Sequence, residues 1–287
     1  MRRYWRGDSN MRPELASRLS GSADIFAPSG RQPWASINYV ASHDGVTLAD
    51  LTSYEHKHNE ANLEGNRDGT DANYSGNWGA EGPTDNPGIT AFRQKLIRSF
   101  LTTLFFSRGT PMLLAGDEFG RTQLGNNNAY CQDNEISWLD WKLTETDDGR
   151  ALIQFVSRLI RLRRRFPAVT SPTYLHGIHE ILPGLRDIDW LDERNLYLAP
   201  EDWANTEGRA LVLRRAATRA DGGVDILALM MNAADRALPF HLPGDFAWRL
   251  LIDTADPDSP PRELSENIYT VRDRAAVLIA AVAGLPP

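Results

Sequence analysis

His43 and Asp44 stand side by side where a short apolar run, 35–40, turns polar at Ser42-His43-Asp44-Gly45. A carboxylate there can orient a substrate or balance positive charge developing in a transition state, and the imidazole can donate to a hydroxyl. A capping Asp beside a structural His fits the same residues. Asp117-Glu118 repeats the arrangement after the run 111–116, with Arg121 close enough in sequence to pair with one carboxylate, so catalysis and an ion-paired structural role both remain open. His56-Lys57-His58 would set two imidazoles on one side of an extended chain, but no third ligand lies at metal-site spacing, and no metal is expected. Residues 71–76 match the first half of a calcium loop, yet the closing bidentate acid would fall on Gly82. Residues 125–128, Gly-Asn-Asn-Asn, offer many amide donors and acceptors with few charges, a lining that suits neutral hydroxyl-rich ligands. Trp78, Tyr130, Trp138 and Trp141 could stack on sugar faces, with core packing the alternative for each. Phosphate-binding glycine loops and the G-x-S-x-G serine elbow are absent from the sequence, and no cofactor is expected.

Elements that could position these residues are legible around them. Pro13, Leu15 and Leu19 mark a short helix that Gly21 ends. The runs 35–40 and 111–116 read as buried parallel strands that stop at functional edges. Between them lies a polar segment, roughly 52–88, too long for an ordinary connection. An amphipathic helix follows, with Ile89, Phe92, Leu96, Phe100 and Leu104 on one face and Gly109 closing it. A further helix starts after Asp147-Asp148-Gly149 and carries Leu152, Phe155, Val156, Leu159 and Leu162. Arg161, Arg163, Arg164 and Arg165 in its last turn suit the helix dipole, and Pro167 stops it. The order strand, polar edge, loop, helix, strand, polar edge describes a β/α unit, in which function gathers at the carboxyl ends of the strands. Beyond 170 the chain breaks into short apolar runs, and Asp221-Gly222-Gly223 reads as a hairpin turn, so a small antiparallel β domain, a sandwich, is expected there.

Composition sets the outer bounds. The chain has 287 residues, 41% hydrophobic, one cysteine and a formal charge of −7. That is too apolar for disorder, offers no disulfide scaffold, and argues against nucleic acid as a partner. No stretch reaches the ~20 apolar residues of a membrane span, so no membrane partner is expected, and the N-terminus lacks the apolar core of a secretory signal. Cys131 alone fits a reducing, cytoplasmic setting. The acidity is concentrated: residues 38–135 hold 13 Asp/Glu against 7 Lys/Arg, whereas the rest of the chain holds 25 against 24. A functional site is expected in that third.

Residues 37–44, Ile-Asn-Tyr-Val-Ala-Ser-His-Asp, resemble the motif of the seventh barrel strand of the α-amylase superfamily. The stretches 58–62 (His-Asn-Glu-Ala-Asn), 66–71 (Asn-Arg-Asp-Gly-Thr-Asp), and Gly109 through Asp133 narrow the likeness to the bacterial glycogen-operon debranching enzymes and their isoamylase relatives. The resemblance covers residues 1–170 strongly and the remainder loosely. It implies hydrolysis of α-1,6 branch linkages in glycogen or branched malto-oligosaccharides by a retaining mechanism. Asp44 would then stabilise the transition state, His43 would bind the same sugar, and Asp117, Tyr130 and Trp78 would contact substrate. The strands that carry the family's nucleophile and acid/base residue precede the His-Asp strand, and the 42 residues before His43 show neither motif. The expectation is therefore α/β plus all-β. Residues 1–170 would form the C-terminal part of a (β/α)8 TIM barrel, its last two β/α units, and 171–287 the β-sandwich domain. Such a chain would be a truncated or partial product, inactive by itself, with the remaining barrel strands either encoded upstream or supplied by a separate chain. A non-catalytic glucan-binding or regulatory remnant, or another α-amylase-type activity, are the alternatives.

Overall fold

The computed structural model describes residues 1–283. Helices α1 (Arg2–Arg6), α2 (Arg12–Leu19) and α3 (Ala23–Phe26) lead into strand β1 (Ile37–Asn38) and the one-turn helix α4 (Leu48–Leu51). After the long loop come α5 (Pro87–Phe106), β2 (Thr110–Pro111), α6 (Asp147–Arg165) and α7 (Pro167–Thr170). Strands β1 and β2 pair in parallel, with Ile37 opposite Thr110 and Asn38 opposite Pro111. Parallel neighbours need a crossover, and α5 supplies it.

The helices start and stop for local reasons. Asn86 accepts from the N–H groups of Gly88 and Ile89, and Pro87 takes the first position, where its missing N–H costs nothing. Thr146 caps α6 through the Gly149 N–H at 3.0 Å. After α5 the chain turns through Gly109 at φ 115°, and a Cβ there would meet the Ser36 carbonyl at 2.4 Å. The expectation of an amphipathic α5 holds only for its first half. Every residue from Ser99 to Phe106 is buried, because β strands and helices enclose the helix on all sides.

The first strand also differs from expectation. It is two residues long, and its outward residues Ile37 and Tyr39 are 59% and 52% exposed. Ser36 and Val40 on the alternate face are buried. A strand with one neighbour and no layer over its outer face buries only half of its side chains.

Beyond 170 the strands are β3 (Glu180–Leu182), β4 (Leu185–Arg186), β5 (Ile188–Leu191), then, after helix α8 (Pro200–Ala204), β6 (Ala210–Thr218), β7 (Val224–Asn232), β8 (Leu238–His241), β9 (Arg249–Asp253), β10 (Arg262–Glu263), β11 (Ile268–Val271) and β12 (Ala275–Ala283). Six of them make an antiparallel sheet in the order β10-β9-β12-β7-β6-β5, and β11 pairs with β8 in a separate ribbon. The expected hairpin at Asp221-Gly222-Gly223 joins β6 to β7, with Gly222 at φ 85° and the Gly223 N–H on the Asp221 carboxylate at 3.1 Å.

All nine residues of β7 are buried, since both faces of the sheet are covered. Val212, Ile226, Met230, Val277 and Ile279 point into one core with Phe240, Trp248 and Val271 of the ribbon side. Leu213, Leu227, Leu229, Met231 and Leu278 point the other way, into a core shared with Trp5, Leu15, Phe100 and Phe155. The period-2 alternation of each strand thus feeds two cores. The second of these runs without interruption across position 170.

Buried Arg215 reinforces that junction, and Arg163 ties α6 to the end of α5. Arg215 donates to the carbonyls of Phe106 (2.6 Å) and Leu19 (2.7 Å), and Arg163 donates to those of Ser107 and Gly109. The Phe106, Ser107 and Gly109 carbonyls lie at or just beyond the C-terminal end of α5 and that of Leu19 ends α2, where no intrahelical donors remain. Two arginines of the α6 end are therefore spent on neighbouring elements: Arg163 on the carbonyls of Ser107 and Gly109, Arg165 on Asp225 of β7 at 2.9 Å. Among the described residues no helix is long and apolar enough to cross a membrane.

Candidate functional site

The carboxyl end of β1 opens into the loop 39–47, and its attachments are specific. Arg2 donates to the Val40 carbonyl at 2.8 Å and to the Asn73 carbonyl at 3.0 Å, fixing the strand end to the long loop. Asn38 donates to the Arg108 carbonyl at 2.6 Å. Ser42 donates to the Asp44 carbonyl, and Gly45 turns at φ 108°. Thr47, not Asp44, caps α4 by accepting the Asp50 N–H. This removes the capping role that the residue types alone allowed for Asp44.

His43 and Asp44 stand outward. Their side chains are 88% and 89% exposed, with His43 Nε2 3.4 Å from Asp44 Oδ2. Among the described residues the Asp44 carboxylate accepts no backbone N–H, so it is free for a ligand.

Asp117 behaves differently. It begins a short 3-10 turn after β2 and was expected at the cleft surface, but only 2% of it is exposed. Its Oδ1 accepts the Leu48 N–H at 2.9 Å, and burial pushes the carboxyl up to about 7. Expected substrate contact is thereby corrected: the side chain braces α4 from below. Arg121 does not pair with it as the spacing suggested, because its guanidinium donates to the carbonyls of Ala115 and Ser137 instead.

Asp50 is a second buried carboxylate in the same region, and the residue pattern gave no sign of it. It accepts from Thr122 and from the Gln123 N–H, and burial raises it despite those bonds. Gln123 in turn donates to the Gly45 carbonyl. The loop that presents His43 and Asp44 is thus held from behind by Asp50, Asp117 and Gln123.

The asparagine-rich stretches do not line a ligand site. Asn59 and Asn127 are buried and exchange two bonds of 2.9 Å, Nδ2 to Oδ1 and backbone N–H to Oδ1. Asn127 also donates to the Thr70 carbonyl and to Asn73, while Asn62 and Asn128 both donate to Asp68. These amides are consumed by one another, because an unpaired buried amide costs more than an exposed one gains. What they do is weld the long loop to residues 122–132.

His56 and His58 are placed by the same logic. Glu81 accepts the N–H groups of Glu55 and His56, the His58 Nε2 at 3.0 Å and the Asn77 amide. Partial burial works against its charge, but these donors outweigh that and hold its carboxyl down at about 2. Among the described residues no group of three ligating side chains is gathered for a metal.

The aromatic residues separate into two sets. Tyr130 is 86% exposed and Trp138 59%, the latter donating its indole N–H to Asp133 at 3.0 Å. Trp141 stacks on Phe119 at 5.6 Å. Trp78 is half-buried against Phe92, with ring centroids 5.0 Å apart. Its remaining surface lines a cavity of about 590 Å3 with Tyr74, His56 and Asp71, none of which belongs to the 42–47 loop.

No family model matches the sequence. Known proteins do. The chain is 43% identical over 270 residues to the glycogen operon protein GlgX homolog of Mycobacterium bovis, a match covering 90% of this chain and 37% of that protein. It is 46% identical over 229 residues to the glycogen debranching enzyme of Pectobacterium atrosepticum, covering 77% and 33%. Among solved structures, a product complex of the multi-modular glycogen-degrading pneumococcal virulence factor SpuA superposes with a TM-score of 0.66 at 14% identity, over 97% of this chain and 29% of that one. Pullulanase type I from Bacillus subtilis, complexed with maltose, superposes with a TM-score of 0.62 at 22% identity, over 98% and 32%. The chain spans about a third of the length of the relatives it matches. The resemblance drawn from the motifs holds, and the fold is that of the matching part of the pullulanases.

Proposed function

We infer that this chain, similar over most of its length to bacterial glycogen debranching enzymes, forms one wall of a cleft that hydrolyses α-1,6 branch linkages in glycogen or its limit dextrins. The observation that carries this reading is the exposed His43–Asp44 pair at the carboxyl end of β1, free of structural partners and braced from behind. In a parallel β/α arrangement that is where ligands bind.

In the reaction proposed, Asp44 grips sugar hydroxyls and stabilises the oxocarbenium-like state by its charge, while His43 hydrogen-bonds the same ring. Retaining chemistry needs two further carboxylates ~5 Å apart, one to attack and one to donate and then withdraw a proton. Asp50 and Asp117 cannot take those roles, since both are buried in hydrogen bonds to the backbone. The attacking and protonating groups would face this wall from elements outside it.

The test uses the purified chain and branched limit dextrin. Equilibrium binding is expected without release of reducing ends, and Asp44→Asn is expected to weaken it. Release of reducing ends by the chain unaided, absent in Asp44→Asn, would overturn the view that the wall alone is inert. Binding indifferent to Asp44→Asn and to His43→Ala would sink the assignment of the wall itself.

A further inference from the structure

Two adjoining grooves lie where α2 and the turn after it meet β5 and α8. The first, about 470 Å3, is lined by Ser17, Ser20, Trp190 and Trp203 among others. The second, about 290 Å3, shares Ser20 and both tryptophans and adds His176, Arg186 and Tyr197. Neither contains any residue of the 42–47 loop.

The two indoles meet edge to face, with centroids 6.1 Å apart and planes at 74°, so each groove receives part of an aromatic surface. Tyr197 is half exposed, and its hydroxyl accepts from Arg214 at 3.1 Å, which fixes the ring. The Arg186 guanidinium lies 5.2 Å from the centre of that ring and has no carboxylate partner among the described residues. Its hydrogen-bond donors are available.

Charge in the grooves is otherwise cancelled. Asp189 is buried under a 2.6 Å ion pair with Arg214, and Asp24 pairs with Arg18 at 2.5 Å. Ser17 and Ser20 donate to the carbonyls of Pro13 and Ala16, leaving hydroxyl lone pairs to accept. The site therefore combines flat apolar rings and hydroxyl acceptors with one guanidinium whose charge is not cancelled.

That combination selects a neutral molecule with apolar C–H faces and a rim of hydroxyls, which is a sugar ring. We propose that the paired grooves bind a neutral oligosaccharide chain, an α-glucan segment, at a site separate from the His43–Asp44 wall. Trp, Tyr and Arg also anchor protein interfaces, but those need ~800 Å2 of matching surface on each partner, and the two depressions expose only a small fraction of that. The site would hold a polymeric substrate to the protein without touching the bond that breaks.

Migration of the full chain through native gels containing glycogen tests this, with glycogen as the probe. Wild type is expected to be retarded. Trp203→Ala is expected to bind roughly five- to tenfold more weakly, the loss of one stacked ring. Trp203 also touches the core, so Ser17→Arg, on the exposed face of α2, is the companion variant. It fills the groove without disturbing the fold, which circular dichroism checks. Wild-type retardation in both groove variants overturns the proposal, as does an unretarded wild type. Loss confined to Asp44→Asn also overturns it, while leaving the cleft wall intact. Groove variants that keep retardation but abolish self-association would make the surface an interface between copies instead.

Discussion

Asp44 and Asp117 are both acids that end a strand, yet they carry opposite assignments because one is solvated and the other is not. A buried carboxyl whose only strong donor is one backbone N–H prefers to be neutral, and Asp117 sits at about 7 for that reason. The sign of its effect on stability follows. Between the unfolded value of 3.8 and about 7 the native state holds a proton that the unfolded state has lost, so this contribution falls as pH rises through that window and is flat above it. Asp117→Asn keeps an oxygen for the Leu48 N–H and removes the ionisation. Its Tm is expected to exceed wild type by on the order of 5 °C at pH 8 and to match it near pH 4. A wild-type Tm at or above the variant's at pH 8 would show that Asp117 is charged and paired. The position of the His-Asp pair was readable from residue order, since a run of apolar residues that stops at polar ones ends a strand. Asp50 was not readable, because nothing in Leu-Ala-Asp-Leu shows that it faces residues 122–125.

Among the elements, the long segment 52–88 shows most clearly what residue types conceal. Its polarity and size marked it as more than an ordinary connection. Its amides are internal, however, and its order comes from Glu81 and the Asn59–Asn127 pair. Glu81 is lowered to about 2 in the fold, so its contribution is present above the unfolded value near 4.5 and is lost as pH falls from there towards 2. Glu81→Gln is expected to lower Tm at pH 7 by roughly 3–6 °C, about 1–2 kcal/mol, and to differ little from wild type near pH 2.5. Equal melting at pH 7 would refute the role given to Glu81. Gly69 is the second constraint. It turns at φ 70°, and a Cβ would fall 2.1 Å from the Asn127 amide oxygen. Gly69→Ala is expected to cost about 1–3 kcal/mol and to raise amide hydrogen exchange across 59–73 and 122–128. Unchanged exchange in those segments would mean that the weld is not there. Helices were the most legible elements, because their 3.6-residue spacing is a local signal, while the caps at Asn86 and Thr146 emerged only in the structure.

In the whole molecule, the division drawn at 170 is a change of secondary structure and not a break in the core. Tyr4 donates to the carbonyls of Arg209 and Met231, Trp5 donates to Thr103, and Arg215 reaches back to Leu19 and Phe106. Helical and β signals should therefore vanish together on heating, followed as the separate helix and sheet components of the infrared amide I band. Two separated transitions would show that the halves fold independently. The sequence by itself determined the kinship, the β/α order, the antiparallel character of the second half and the place of the His43–Asp44 pair. All of these follow from short motifs, caps and periodicities, and so from residues close together in the chain. Only the tertiary structure decided which acids meet water, that the asparagines satisfy one another, that α6 lends its arginine to the end of α5, and that one face of the sheet shares a core with the helices. Burial and hydrogen-bond pairing depend on what the fold brings alongside a residue from distant parts of the chain, and no local pattern encodes that neighbour.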